Sequence, residues 1–446
     1  MRSSTRRLVA SAAAGISALL AGVAGVAPAG ATSPPPYAVN NQPDLIRMGG
    51  SDTTETLMNS LAKLYNEAPG CILTGTPQNL DGKCFDFNSA TAGIQPQYQL
   101  DADGNPTDKA NPDHDVAYGY AAVGSSTGIT QLAQRGTTGI QTLDIARSSR
   151  APRSSDVDGL RFVAYAKDAI PWVRFPGTPA SGVSSLSVTQ IRNAFSGCAP
   201  GVQPEIDKTV NGGNNNGVAD WGDIGGATGE PLVVWAAQDG SGTRSTFDGF
   251  LGSGANSTNC IPTQFKDNNL ANGERRILEN NSVPIEEARP IDCPEVTSPD
   301  PANPCAPNSI FYMSYGRWNE QRAANPPQTT AILGSITVGG NAIPPTEANI
   351  VSDAYPFSRF VYNVIRYDTF ATGLASAAVK QFAYTKGFLC KPAGASVKDP
   401  RTGANFRTEV EDTIRGAGFI PLPLGTSGSR DATQSHCRVI DTKDVN

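Results

Sequence analysis

Three short polar turns recur in order along this chain: Ser51-Asp52-Thr53-Thr54, Gly124-Ser125-Ser126-Thr127-Gly128 and Asp239-Gly240-Ser241-Gly242-Thr243-Arg244. Each ends a β-like apolar run and opens a helix-like one, so each offers backbone N–H groups, hydroxyls and the positive end of a helix. A small tetrahedral anion stripped of water needs many donors at once. Glycine lets the backbone come close, and Ser and Thr add O–H donors. A single turn of this kind is usually only a loop or an N-cap. Three in series describe a chemistry, the caging of an oxyanion.

Other chemistries fit less well. Gly124-Ser125-Ser126-Thr127-Gly128 also satisfies G-x-S-x-G, which would make Ser126 the nucleophile of a secreted serine hydrolase. The base would have to be His114, which precedes the motif, or His436, which adjoins Cys437; the chain has only two histidines. That scarcity, with no CxxC and no His/Asp cluster, argues against zinc and against a metal-dependent phosphatase. Asp101-Ala102-Asp103-Gly104-Asn105-Pro106 has its glycine too early for a calcium loop and no closing Glu, so it reads as a β-turn. Trp172, Trp221, Trp235 and Trp318 read as core or loop anchors. Neither a cofactor nor a metal is expected.

The elements that must position the turns follow from apolar periodicity. Leu45–Met48 reads as a strand into the first turn, and Thr54–Asn66 as a helix with Leu57, Met58, Leu61 and Leu64 on one face. Val116–Val123 leads into the second turn, which Ile129–Arg135 follows as a helix. Leu143–Ala146 is a strand ending in Arg147-Ser148-Ser149-Arg150. Leu160–Ala166 and Trp172–Phe175 are strand-like, and Val188–Phe195 is helical. Pro231–Ala237 is a buried strand entering the third turn, with a helix over Thr246–Leu251. Ser309–Tyr315 and Tyr355–Tyr367 are further strands, the second interrupted by Pro356, and Leu374–Phe388 is a last helix. Residues 70–115 and 281–307 read as insertions, the latter Pro-rich and on the surface.

Length and composition bound the rest. The first 31 residues have the form of an export signal, with Arg2, Arg6 and Arg7, an apolar Ala/Gly/Leu/Val stretch and Ala29-Gly30-Ala31 as cleavage pattern. The Arg6-Arg7 pair hints at twin-arginine export. Roughly 415 residues then remain, enough for two domains. Charged residues are 17%, with 46 Gly and 34 Pro, which indicates a loop-rich globular protein. The net charge of −6 argues against nucleic acid and means that local donors, not the overall field, must capture an anion. Eight cysteines in an exported chain should pair. Sequential pairing is expected: Cys71 with Cys84, Cys198 with Cys260, Cys293 with Cys305 and Cys390 with Cys437. The first cysteine being Cys71, no lipid anchor at the new N-terminus is expected.

The order of these pieces resembles the phosphate-binding proteins of high-affinity phosphate ABC transporters, within the type II periplasmic-binding-protein fold. The resemblance is carried by Gly50-Ser51-Asp52-Thr53-Thr54, Gly124-Ser125-Ser126-Thr127-Gly128-Ile129, Asp144-Ile145-Ala146-Arg147-Ser148-Ser149-Arg150, Asp239-Gly240-Ser241-Gly242-Thr243-Arg244 and Tyr355-Pro356-Phe357-Ser358-Arg359. It implies an α/β architecture of two lobes joined by crossing hinge strands, a Venus flytrap closing on dehydrated phosphate held by neutral donors and usually one arginine. Carried over residue by residue, Ser51 to Thr54, Ser125 with Ser126, and Ser241-Gly242-Thr243 line the phosphate. Arg244 follows its turn directly, as in many relatives. Others place an arginine where this chain has Ala237, so Arg244 or Arg150 would carry that role. The aspartate that accepts the phosphate proton in relatives is matched by Ser149, with Asp52 or Asp239 as substitutes.

The expected organisation is a first lobe of residues 44–160 plus 350–446 and a second of 161–349. The expected protein is a secreted, monomeric, non-enzymatic binder whose partners are inorganic phosphate and an ABC permease, without nucleic acid. The alternatives are the Ser126 hydrolase and a wall-associated protein that binds another oxyanion.

Overall fold

Apolar residues at helical and strand spacing set the order of elements around the three turns. The structure, a computed structural model, describes residues 37–38, 46–67, 98–100, 106–110, 116–117, 124–133, 140–141, 143–196, 220–238, 240–252, 275–288, 293, 296, 305–366, 379, 382–384, 388–390, 402–422 and 437–445. The export signal, most of the 70–115 segment, Asp239, both histidines, Cys71, Cys84, Cys198, Cys260 and most of the Leu374–Phe388 helix lie outside the described residues.

In chain order the elements that position the turns are β1 (Ile46–Gly50), α1 (Glu55–Glu67), β2 (Val116–Ala117), α2 (Ser125–Ala133), β3 (Ile145–Ser148), β4 (Leu160–Ala169) and β5 (Trp172–Arg174). They continue with β6 (Val233–Val234), β7 (Ala236–Ala237), α3 (Gly242–Leu251), β8 (Arg276–Ile277), β9 (Ser309–Tyr312), β10 (Ile332–Leu333), β11 (Ser358–Arg366), β12 (Ile420–Pro421) and β13 (Val439–Asp441).

A seven-stranded sheet runs in the order β12–β4–β11–β3–β1–β2, with β13 also paired to β4. β1 is parallel to β2 and β3, whereas β11 is antiparallel to β3 and β4. Its two faces are apolar by the alternation that a strand imposes. Val163 and Tyr165 of β4 pack with Met48, Leu57 and Leu61, while Phe162 and Ala164 pack with Ile129, Leu132 and Val364. A second, four-stranded sheet runs β6–β9–β5–β10, beside the parallel pair β7 and β8. Trp172, Val234 and Tyr312 face one core with Ile191, Phe195 and Phe247, and Val173, Val233 and Phe311 face another with Phe175 and Trp235.

β4 and β11 pass from one pair of cores to the other. Val163 and Val361 belong to the first sheet's core, whereas Ala169 and Phe357, at the far end of the same hairpin-like pair, pack with Trp172 and Phe247. This is the α/β architecture with crossing strands that the family resemblance implies.

Several boundaries differ from the sequence expectation for physical reasons. β4 runs through Lys167 and Asp168, charged residues that end the apolar run, because Lys167 pairs with Asp353 and Asp168 with Arg359. Two helices begin earlier than the apolar pattern shows, at Ser125 and Gly242, so the polar turns lie inside the helices they open. The Pro231–Ala237 run divides between two sheets, β6 pairing β9 and β7 pairing β8. The described part of 281–307 is not a surface insertion: Ile285, Ala288, Cys293, Val296 and Cys305 pack into the core beside Phe175 and Trp235. Cys293 pairs with Cys305 and Cys390 with Cys437, two of the four sequential pairs. Among the described residues no helix is long and apolar enough to cross a membrane, and no cluster of His, Cys, Asp and Glu could hold a metal.

Candidate functional site

The three turns converge. Ser51 leaves β1 with its N–H bonded to the Arg147 carbonyl at 3.0 Å, and α1 starts four residues on. Ser125 opens α2, and the Ser149 N–H donates to the Ser125 Oγ at 3.0 Å, which brings the end of β3 against the second turn. Ser241 is the N-cap of α3, its Oγ accepting from Arg244 N at 3.0 Å. The sheet ends thus aim three helix N-termini into one volume.

Hydroxyls knit the turns together there. Ser51 Oγ donates to Ser149 Oγ at 3.0 Å, and Ser125 Oγ lies 3.3 Å from Ser149 Oγ. Thr53 Oγ1 lies 2.9 Å from Thr243 Oγ1. Gly242 is required at its position: a Cβ there would stand 2.2 Å from Ser125 Oγ and 2.5 Å from Ser149 Oγ, so the third turn packs on the other hydroxyls by lacking a side chain. Ser51, Thr53, Ser125, Ser149 and Thr243 are all buried.

The carboxylate of Glu279, two residues beyond β8, sits at the centre. Its Oε1 accepts from Thr53 N at 3.1 Å and Thr53 Oγ1 at 2.8 Å, and Ser51 Oγ, whose proton goes to Ser149 at the shorter distance, lies 3.4 Å from it. Its Oε2 accepts from Thr243 N at 3.2 Å and from Ser241 Oγ. Thr53 has one hydroxyl proton and gives it to Glu279, so Thr243 is the donor in its contact with Thr53. Arg359 donates to Thr243 Oγ1 at 3.0 Å. A directed chain therefore runs from guanidinium through two threonines to a carboxylate. Asn280 supports it: Nδ2 donates to Thr53 Oγ1 at 2.8 Å, and Oδ1 accepts from Ser314 N at 2.6 Å.

The arginine at the cage is Arg359, from Tyr355-Pro356-Phe357-Ser358-Arg359. Its Nε and one terminal nitrogen pair with Asp168 Oδ2 at 3.0 and 2.8 Å, and the other donates to the Ser149 carbonyl at 2.9 Å. The register of β4 against β11 sets Arg359 opposite Asp168. The guanidinium of Arg150 instead makes a bidentate pair with Asp156 at 2.9 and 2.7 Å, and that of Arg244 lies 3.4 Å from the Ala237 carbonyl and 3.9 Å from Asp248. Thr54 is buried at the foot of α1, its carbonyl accepting from Met58 N.

Asp52 lies beside the cage, with Oδ2 accepting from Gln238 Nε2 at 2.9 Å. Burial, and then the nearby Glu279 carboxylate, hold its pKa well above the ordinary 3.8. Ser126 does not sit on a strained elbow. The positive φ of 86° falls on Gly124, Ser126 lies in the first turn of α2, and its Oγ accepts from Arg150 Nε at 3.2 Å. That geometry gives the hydrolase reading no support.

Glu279 and Asn280 carry no sequence signal of their own, since an acidic residue after a two-residue strand looks like any loop charge. Arg359 was visible as part of a motif, but not as a site residue, because its role depends on strand register.

Helix N-termini and hydroxyls gathered between two sheet-centred cores define a binding protein for a small polar solute. Residues 90–385 match the model of the PBP superfamily domain, and the chain belongs to that family. No curated protein matches it. It is similar to the solved structure of a phosphate ABC transporter substrate-binding protein with bound phosphate from Clostridium perfringens, at 16% identity over 85% of this chain and 100% of that one, TM-score 0.45. It is also similar to an ABC-type phosphate transport receptor from Vibrio cholerae, at 16% identity over 84% and 99%, TM-score 0.44. The family assignment rests on the matched domain model and not on these distant overlaps.

Proposed function

We infer that this protein is an exported solute-binding protein that takes up inorganic phosphate by hydrogen bonding and presents it to an ABC-type permease. The observation that carries this reading is the convergence of Ser51, Thr53, Ser241 and Thr243 around one carboxylate, with Ser149 bonded to Ser51 and Ser125 to Ser149 beside them. The oxygens of Glu279 stand where two oxygens of a tetrahedral oxyanion would lie. Membership of the PBP superfamily supports a binder rather than an enzyme. The choice of phosphate among oxyanions rests on the family resemblance that the sequence motifs carry. Export is supported by the leader pattern and by the two disulfides.

In this reading residues 44–160 with 350–446 form one lobe and 161–349 the other, except that the first part of β4 packs with the first lobe and β4 and β11 cross between the two as the hinge. Ser51, Thr53, Ser125 and Ser149 then face Ser241 and Thr243 across the cleft, so a ligand that contacts both sides favours closure. The protein acts as a monomer, without cofactor or catalysis.

Calorimetry on Ser241→Ala/Thr243→Ala tests the reading. Each lost hydrogen bond to a charged ligand is worth about 1.5–3 kcal/mol, so phosphate affinity should fall at least about tenfold. The fold should lose about 2–4 kcal/mol, for the α3 cap and for the hydroxyl bonds of Ser241 to Glu279 and of Thr243 to Thr53. Phosphate should also raise the melting temperature of the wild type, because a ligand that binds only the native state must. Equal affinity in the double variant refutes the assignment.

A further inference from the structure

The cage already holds an anion, and that anion belongs to the chain. Both oxygens of Glu279 are engaged: the N–H and O–H of Thr53 reach Oε1, with Ser51 Oγ 3.4 Å away, and two donors from the 241–243 turn reach Oε2. One carboxylate therefore joins two segments far apart in sequence, in the way a captured oxyanion would. Its backbone is anchored on the 241–243 side, where Glu279 N donates to Gln238 Oε1 at 2.6 Å and Gln238 N donates to the Ile277 carbonyl at 2.8 Å. The next residue, Asn280, adopts a positive φ of 64° and is held by Ser314, so the side chain projects into the cage from a fixed base.

We propose that Glu279 is a tethered occupant of the oxyanion cage: its carboxylate bridges the 51–53 and 241–243 turns, and an incoming oxyanion binds by displacing it. This rests on the reading of the cage as an oxyanion site. Two anions cannot share these donors. Each N–H and O–H that holds Glu279 has one proton to give, and like charges at such separation oppose each other in a site shielded from water. A tethered group competes at a high effective concentration, so it lowers the apparent affinity for the free ion by the fraction of molecules in which it is bound. It also holds the cleft shut without a guest.

The experiment compares wild type, Glu279→Ala and Glu279→Gln as mature, oxidised proteins, with inorganic phosphate as the probe. Calorimetry should show phosphate binding at least tenfold tighter to both variants than to wild type. Small-angle scattering in phosphate-free buffer should show a larger radius of gyration for Glu279→Ala than for wild type, and added phosphate should restore the smaller value. The Gln variant keeps the side chain's shape, so it answers the affinity question if the Ala variant is poorly folded. Equal or weaker phosphate binding in the folded variants overturns the proposal. If phosphate binds neither wild type nor variants, the choice of phosphate fails, and the scattering decides the tether alone: expansion on substitution sustains it and an unchanged radius overturns it.

Discussion

Replacing Gly242 with alanine separates folding from binding more cleanly than removing any hydroxyl. The new methyl would lie 2.2 Å from Ser125 Oγ and 2.5 Å from Ser149 Oγ, distances no side chain tolerates, and 3.0 Å from Ser125 Cβ, a tight contact that a small shift relieves. Both hydroxyls can escape by rotating, because each is the end of a short side chain. Rotation breaks the Ser149 N to Ser125 Oγ bond and the Ser51 to Ser149 bond, at about 1 kcal/mol each. Against this, alanine in place of a helical glycine gains about 0.5–1 kcal/mol. Stability in urea should therefore fall by only about 1–2 kcal/mol. Binding should suffer more, since two donors now point away from a charged guest at about 1.5–3 kcal/mol each. The sum is at least about 3 kcal/mol, a loss of phosphate affinity above about a hundredfold in calorimetry. A Gly242→Ala protein that binds phosphate like wild type would show that Ser125 and Ser149 do not face the ligand.

Two further outcomes follow from the charges around the cage. Arg359→Met leaves Asp168 buried beside Gly316 N without its cation, so urea unfolding should show a loss of about 3–5 kcal/mol, part of it recovered by adding Asp168→Asn. A loss below about 1 kcal/mol contradicts the buried pair. Asp52 holds its proton more tightly when folded than when unfolded, so the stability it contributes is full below pH 3.8 and is lost as pH rises through its raised value. Urea midpoints in phosphate-free buffers should therefore favour Asp52→Asn over wild type increasingly as pH rises above about 4, and parallel curves would rule out the cause.

The three turns were legible because small donors after strands and before helices leave a local pattern; Thr53, Ser241 and Thr243 bond to Glu279, and Ser51 and Ser125 meet through Ser149. The amphipathic spacing of Leu57, Met58 and Leu61 likewise located α1 to within a residue. What stayed hidden depends on pairing between distant segments. Arg359 reaches the cage because β11 sets it opposite Asp168, a matter of register that neither residue's neighbours encode. Glu279 arrives through β8 lying parallel to β7, two strands of two residues each, too short to announce themselves. The 281–307 segment was misread because its prolines and charges outweigh five apolar residues that look scattered until they meet Trp235 and Phe175.

The pairing of Arg359 with Asp168 has a consequence for where such a protein can work. The guanidinium that bonds to the cage hydroxyls is already neutralised from behind, and the turns present amide and hydroxyl dipoles that act only at contact range. Dissolved electrolyte weakens attraction between separated charges over about 10 Å at 0.1 M, but it does not enter a dry shell of short dipoles. Capture built this way should change little between dilute buffer and brine.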